Sequence, residues 1–232
     1  MARQARTVSR RKPATRSKRG APAKRRLSAE ERRSAILTAA MEAFADRGYD
    51  GASVKGIAGA ADISEALIYG HFSSKQALHA AVLEAQSRQL LDHVGTRVRE
   101  ARGRNPAKGV GIHAAVDAML EFAEENPHAW RLLFRDPPDD RRLARVNARI
   151  QAEWTEAIAK SFAAVCDFRL PAGVDPDQGM EAIAALFKGA LDGFAEWWSD
   201  HPHIPRKVMA DLFMDVVFTG LDQISVQKAV TE

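Results

Sequence analysis

The sequence predicts an all-α protein, a small three-helix head joined to a larger helical body, and three features lead there. Apolar residues recur at the 3.6-residue spacing of an amphipathic helix from Ile36 onward, and no run alternates with the period of a strand. Small polar residues stand directly before several of these runs, where a helix takes its N-cap. Clusters of Gly, Pro, Asn and Asp break the chain at 103–106, 126–127, 136–140, 171–176 and 202–205, and no internal repeat is present.

Ser28 and Glu31 have the spacing of a capping box, and Ile36, Leu37, Ala40 and Phe44 carry one apolar face to Gly48, which predicts a first helix over 29–47. Gly48 suits a left-handed residue after the helix, which would return Tyr49 to Phe44. A second helix is expected over 53–60, with Val54, Ile57, Ala58 and Ala61 on one side and Ala58 small enough to admit a neighbour. Asp62 stands in the turn that follows, and Asp tolerates left-handed backbone better than most residues. Ser64 caps the third helix, with Ile63 and Ile68 in the N′ and N4 places of a hydrophobic staple.

Ile68 and Phe72 then share the buried face, so Glu65, Ala66, Leu67, Tyr69 and Gly70 project away from the small core. Ser73, with Gln76 three residues on, is read as the cap of the next helix, from 74 to about 94, and Lys75 falls in its first turn. A cation there opposes the positive end of the helix dipole, at a cost of a few tenths up to about 1 kcal/mol unless an anion lies near. Something negative is therefore expected beside Lys75.

Two short helices joined by a tight turn, the second facing outward, describe a helix-turn-helix that reads DNA. Residues 36–78, with the pattern I-A-x-x-A-x-x-S-x-x-x-I-Y-x-H-F-x-x-K-x-x-L, resemble the TetR family of bacterial transcriptional regulators. The resemblance implies that Ser53, Tyr69, His71 and Lys75 hold DNA phosphates. It places Glu65, Ala66, Leu67 and Gly70 toward the base edges of the major groove. It also implies a homodimer on a palindromic operator, most simply a repressor released by a small apolar or aromatic effector. An activator, or a regulator without a ligand, fits the same residues.

Three positions depart from the family pattern. Asp62 replaces the usual turn glycine. Ala52 leaves Ser53 to serve as cap or as phosphate ligand, rather than as both. Glu65 opens the recognition helix with a carboxylate, which either accepts from a cytosine amine or repels phosphate.

The charge is uneven along the chain. Residues 1–26 hold eleven Lys or Arg and no acid, so of 34 basic groups the other 206 residues keep 34 − 11 = 23, against 30 acidic ones. Too apolar-poor to offset its ordering entropy, this segment is expected to be a disordered arm. Arg10, Arg11, Lys12, Arg16, Lys18, Arg19, Lys24, Arg25 and Arg26 then serve a polyanion, or only keep the protein soluble. The division expected is an arm at 1–26, a DNA-binding head at 27–78, and an effector-binding and dimerisation body at 79–232.

In the body, helices are expected at about 110–125, 127–135, 139–166, 178–199 and 204–226. Gly189 and Gly193 lie one turn apart among Leu191, Phe194 and Trp198, at about 1 kcal/mol per glycine, which suggests close packing by another helix. With Met209, Phe213 and Val217 of the last helix, whose circumference is largely apolar, they are read as a dimer face, with an intrachain core as the alternative. Met119, Phe122, Trp130, Phe134, Trp154 and Phe187 are candidate pocket residues; for each taken alone, the core is the safer reading.

Other functions find little support. The seven histidines show no HExxH spacing, Cys166 stands alone, and no G-x-S-x-G, phosphate-loop or dinucleotide glycine motif occurs, so neither catalysis, a metal nor a cofactor is expected. No uncharged apolar run approaches the roughly 20 residues of a membrane helix. A cytoplasmic protein is expected. The remaining alternative is a nonspecific DNA-binding or membrane-surface protein driven by the arm.

Overall fold

Nine helices carry the chain among the residues that the computed structural model describes, which are 28–107, 109–135, 140–164, 167–170, 172–218 and 225–226. The basic arm and Cys166 lie outside them.

Helix α1 (Ala29–Gly51) opens with the predicted capping box, Ser28 Oγ accepting from Glu31 N–H while Glu31 accepts from Ser28 N–H at 2.7 Å. It is broken at Gly48, whose φ of 69° and ψ of 172° leave helical space, and the turn beyond is closed by Ala52 N–H on Gly48 O. Tyr49 stacks back on Phe44 at 6.1 Å between ring centroids, as the sequence leads one to expect. Helices α2 (Val54–Ala60) and α3 (Glu65–His71) are capped by Ser53 and Ser64. Asp62, at φ 54°, takes the left-handed conformation of the turn between them. Ile36, Ala40, Phe44, Ile57, Ala58 and Ile68 close the small core of the head.

Helix α4 (Lys75–Arg104) corrects two expectations. Its cap is Ser74, which accepts from Ala77 N–H at 3.0 Å, and not Ser73. The helix also runs on past Gly95 to Arg104, 30 residues in all, because α5 (Val110–Glu125) packs along its second half and that burial outweighs the cost of one glycine. The single turn α6 (Pro127–Trp130) passes into a π-helical turn at Arg131–Arg135, where Leu133 O is met by Gln151 Nε2 at 2.9 Å. Helices α7 (Arg141–Ala163) and α8 (Pro176–Ser199) form the next antiparallel pair.

The last helix is shorter than expected. Helix α9 (Arg206–Phe213) continues as a π-helical turn, Met214–Phe218, and residues 219–224 are not described. Ser225 and Val226, read from sequence as the end of that helix, instead form strand β2 (Ser225–Val226), which pairs antiparallel with strand β1 (Asp167–Phe168), just past the helix expected over 139–166, with Asp167 opposite Val226. Partners 57 and 59 residues apart in sequence supply these backbone bonds, and local pattern carries no trace of them.

Head and body are joined by α4, by Arg131 Nη1 donating to Ala45 O at 3.1 Å, and by Gln76 Nε2 donating to Asp140 Oδ1 at 2.7 Å. Asp140 also caps α7. The N–H of Leu143, foremost, and that of Arg142 hold its carboxyl below the usual range, with Gln76 and the Arg142 charge adding to them.

Buried at this joint is His79, 2% exposed, edge-on to Phe44 and Tyr49 at 4.6 and 5.3 Å. Burial, helped by the Lys75 cation, lowers its pKa from 6.5 to about 4. The folded protein therefore keeps His79 neutral while the unfolded chain protonates below pH 6.5. Stability from this residue is intact above pH 6.5, falls as pH drops toward 4, and levels off below, a loss on the order of 3 kcal/mol in all. Denaturant titrations from pH 7.5 to 4 should show this decline, and His79→Leu should flatten it.

Candidate DNA-binding and ligand sites

Helix α3 presents Glu65, Ala66, Tyr69 and Gly70 to solvent, with Leu67 and His71 partly covered, while Ile68 anchors the helix from beneath at 1% exposure. Glu65 is the first residue of the helix, beside its cap, so its carboxylate is helped by the helix dipole. Tyr69 is 52% exposed. Seven residues give two turns, enough for one outward row and one inward anchor.

Ser53 is a helix cap, its Oγ accepting from Gly56 N–H at 3.0 Å. Lys75 is the first residue of α4, and the negative partner expected beside it is partly supplied by the chain. Its Nζ lies 4.5 Å from the centre of the Tyr49 ring and 3.4 Å from Asp50 O. Tyr49 was visible in the sequence only as a packing residue. In the structure it also aims Lys75, a role that depends on contact across 26 residues of chain.

A cavity of about 710 Å³ opens between α4, α5, α7 and α8. Of the six residues expected to line it, Met119, Trp154 and Phe187 do so. Phe122, Trp130 and Phe134 lie elsewhere: Phe122 and Trp130 are buried at 1% and 2% exposure, and Trp130 of α6 stacks on Phe134 of the π-helical turn at 4.0 Å. Sequence could not separate the two sets, since both lie on inward helix faces. The rest of the wall is aliphatic, chiefly Leu91, Val94 and Val98 of α4, Ile112 and Val116 of α5, and Ile158 of α7. Phe162 and Leu191 complete it, and Trp154 is fixed by its Nε1–H donating to Ser87 Oγ at 3.0 Å.

Beside this wall Lys188, itself buried, pairs with Asp192 and lies 5.5 Å from the Phe134 ring centre. Burial raises the Asp192 carboxyl, with Lys188 working against it. Among the described residues no group of three His, Cys, Asp or Glu is placed to hold a metal, and no helix is long and apolar enough to cross a membrane.

The residues expected at a dimer face divide in two. Leu191, Trp198, Met209 and Phe213 are buried within the protomer, Phe187 and Phe213 meeting edge-on at 5.2 Å, and Phe194 and Val217 are partly covered. They belong to the protomer's core. Gly189 and Gly193 are exposed, on the opposite side of α8, in one row with Leu186 and Trp197. Val208, Leu212 and Val216 continue an exposed apolar surface on α9 and the turn after it. Apolar residues surround α9, and only the docking of α8 against it decides which of them remain outside.

A model described as bacterial regulatory proteins, tetR family, matches residues 36–82. The HTH-type transcriptional activator FasR of Mycolicibacterium smegmatis is 37% identical over 210 residues, covering 88% of this chain and 89% of that protein. The chain belongs to the TetR family. It is a helix-turn-helix transcriptional regulator. Two solved TetR-like structures share the architecture. The regulator FadR of Bacillus subtilis, in complex with stearoyl-CoA, aligns with a TM-score of 0.63 at 14% identity over 82% of this chain and 98% of its own. AibR, in complex with isovaleryl coenzyme A and operator DNA, aligns with a TM-score of 0.60 at 20% identity over 81% and 98%. At those identities the likeness establishes the fold of this TetR-family regulator.

In the absence of DNA, Ser53→Ala should cost about 1 kcal/mol of stability through the lost cap, whereas Ser53→Gly should cost only a few tenths. Chemical denaturation of the two variants beside the parent checks the difference.

Proposed function

We propose that this TetR-family regulator is a homodimer that releases a palindromic operator when an apolar, acyl-type ligand fills the cavity. The observation that carries the reading is the span of α4. Its first residue is Lys75, at the DNA-facing end, and Leu91, Val94 and Val98 of the same helix line the cavity. A ligand that favours one tilt of α4 shifts the population of one head position, and two recognition helices must sit about 34 Å apart, or a multiple of that, to reach successive major grooves. The size of the cavity suits a drug-sized ligand, for which roughly 300–1,000 Å³ is usual, and its largely aliphatic wall suits a hydrocarbon chain. The acyl-CoA complexes of the two TetR-like structures support an acyl group. A short branched chain would leave most of the space empty, which favours a long one.

In this reading Ser53, Tyr69, His71 and Lys75 bind phosphates, and Glu65, Ala66, Leu67 and Gly70 face base edges. Ser53 can keep both roles, because a hydroxyl that accepts from Gly56 N–H still has a proton to donate. Dimerisation would use Leu186, Gly189, Gly193, Trp197, Val208, Leu212 and Val216 against the same residues of a second copy, since an isologous interface is self-complementary. No catalytic step is part of the reading. FasR, named an activator, favours a second reading in which the same ligand-controlled binding raises transcription. A reporter fused to the bound promoter, with and without the regulator, separates the two by the sign of the change.

Binding of labelled operator DNA, titrated with long-chain acyl-CoA, tests the proposal: displacement at micromolar ligand is expected, and unchanged binding overturns it. Tyr69→Phe and Lys75→Ala should weaken operator and random DNA by similar factors, because phosphate contacts carry no sequence information. A strong change of base preference at constant affinity would reassign them.

The arm follows from charge. Residues 27–78 hold five basic groups (Arg32, Arg33, Arg47, Lys55, Lys75) against seven acidic ones, 5 − 7 = −2, so the head has little nonspecific attraction of its own. The eleven cations of residues 1–26 should provide it. Removing residues 2–25 is expected to flatten the plot of log affinity against log salt by several units per dimer, at about 0.9 per phosphate contact, and to lower affinity at least tenfold at physiological salt. Unaltered salt dependence would reduce the arm to a solubilising tail.

A further inference from the structure

Beyond the aliphatic cavity, a second space of about 540 Å³ lies on the other side of the α4–α5 hairpin, lined by Arg97, Arg104, Val110, His113, Asp117 and Met214 among others. The cavity and this groove share Gly109, the residue that turns the chain into α5 with φ 89°. The apolar space and the charged one are thus neighbours across a single turn of backbone.

Their cations are not equivalent. Arg97 is held by Glu121 at 3.1 Å and Asp117 at 3.9 Å, and Asp117 and Glu121 also bind Arg206, so that part of the groove is balanced. Arg102, on the cavity side, and Arg104, on the groove side, are both exposed, and no carboxylate pairs with either among the described residues. Arg104 Nε donates only to Glu100 O, at 3.3 Å. Arg102 has a prepared seat, for its stem crosses α5 at Gly111, where a Cβ would stand 3.1 Å from Cδ and 3.3 Å from Cγ. Two guanidinium groups without a carboxylate partner among the described residues therefore stand on either side of the α4–α5 turn, Arg102 at the apolar cavity and Arg104 at the neighbouring groove. Guanidinium groups match phosphate oxygens in a planar, two-pronged geometry.

We propose that the site binds an amphiphile whose chain fills the cavity and whose phosphate-bearing head crosses the α4–α5 turn onto Arg102 and Arg104. The proposal rests on the acyl-ligand reading above and narrows it to phosphorylated acyl compounds, excluding free fatty acids as effectors of equal strength. Exchanging the head for a carboxylate loses affinity, because a single carboxylate buried with the chain cannot reach both sides of the turn.

Calorimetry on the full chain, with palmitoyl-CoA, palmitoyl lysophosphatidate and palmitate as probes, tests this. At least one phosphorylated probe should bind tenfold or more tighter than palmitate, and which of the two does so names the source, a nucleotide thioester or a lipid phosphate. Arg102→Ala with Arg104→Ala should bring that ratio close to one while palmitate affinity holds. Gly111→Val, which displaces the Arg102 stem, should reduce the ratio in part, and Arg88→Ala, an exposed cation of the same helix outside both spaces, should leave it unchanged. Equal affinity for all three probes in the parent protein, or a ratio that survives the double substitution, overturns the head-group site. Failure of the broader reading looks different: the phosphorylated probe then binds as described but leaves operator binding unaltered.

Discussion

Helix α4 is the constraint on which the rest of the structure depends. Thirty residues at 1.5 Å each make a rod of about 45 Å that begins in the head and ends at the mouth of the cavity. Leu78 and Val82 seal it against the head, and Leu91, Val94 and Val98 give the second half to the cavity wall. A continuous helix curves gently but resists a sharp kink, so its two ends are mechanically linked. The fold thereby makes one physical object out of two sites that share no side chain.

The joint around the first turn of α4 shows how closely the parts are fitted. Gly48 turns the chain, Tyr49 stacks on Phe44, His79 stands edge-on to both rings, and Lys75 rests over the Tyr49 face. A charged histidine there would sit among two aromatic rings and a lysine, so the neutral form is enforced. Tyr49 thus both packs the joint and positions the Lys75 cation, so the two cannot be varied independently at this residue.

At the far end, α5 works on both faces. One side, with Ile112, Val116 and Met119, is cavity wall; the other, with Asp117 and Glu121, ties Arg97 of α4 to Arg206 of α9. Arg206 meets three carboxylates at 3.1 Å, Asp117, Glu121 and Glu124, and through them α9 is fixed to the hairpin that borders the cavity. Mechanical continuity therefore runs from cavity wall to α9 by ion pairs, and from cavity wall to the head by α4.

Local chemistry determined the head. The capping serines, the staple of Ile63 and Ile68, the left-handed turn at Asp62 and the outward row of α3 all follow from residues within a few positions of one another, and the sequence shows them directly. The cap of α4 was misplaced by one residue because Ser73 and Ser74 are adjacent and either could have taken the role. Tertiary packing decided the body. It carried α4 through Gly95, paired Ser225 and Val226, expected to be helical, with Asp167 and Phe168 as strands, divided the aromatic residues between cavity and core, and turned Leu191, Trp198, Met209 and Phe213 inward while leaving Leu186, Trp197 and Val208 outside. A helix with apolar residues around its circumference states only that every side will be covered. Which side meets its own protomer, which a ligand and which another surface is set by neighbours far away in sequence, and the 3.6-residue period carries no information about them.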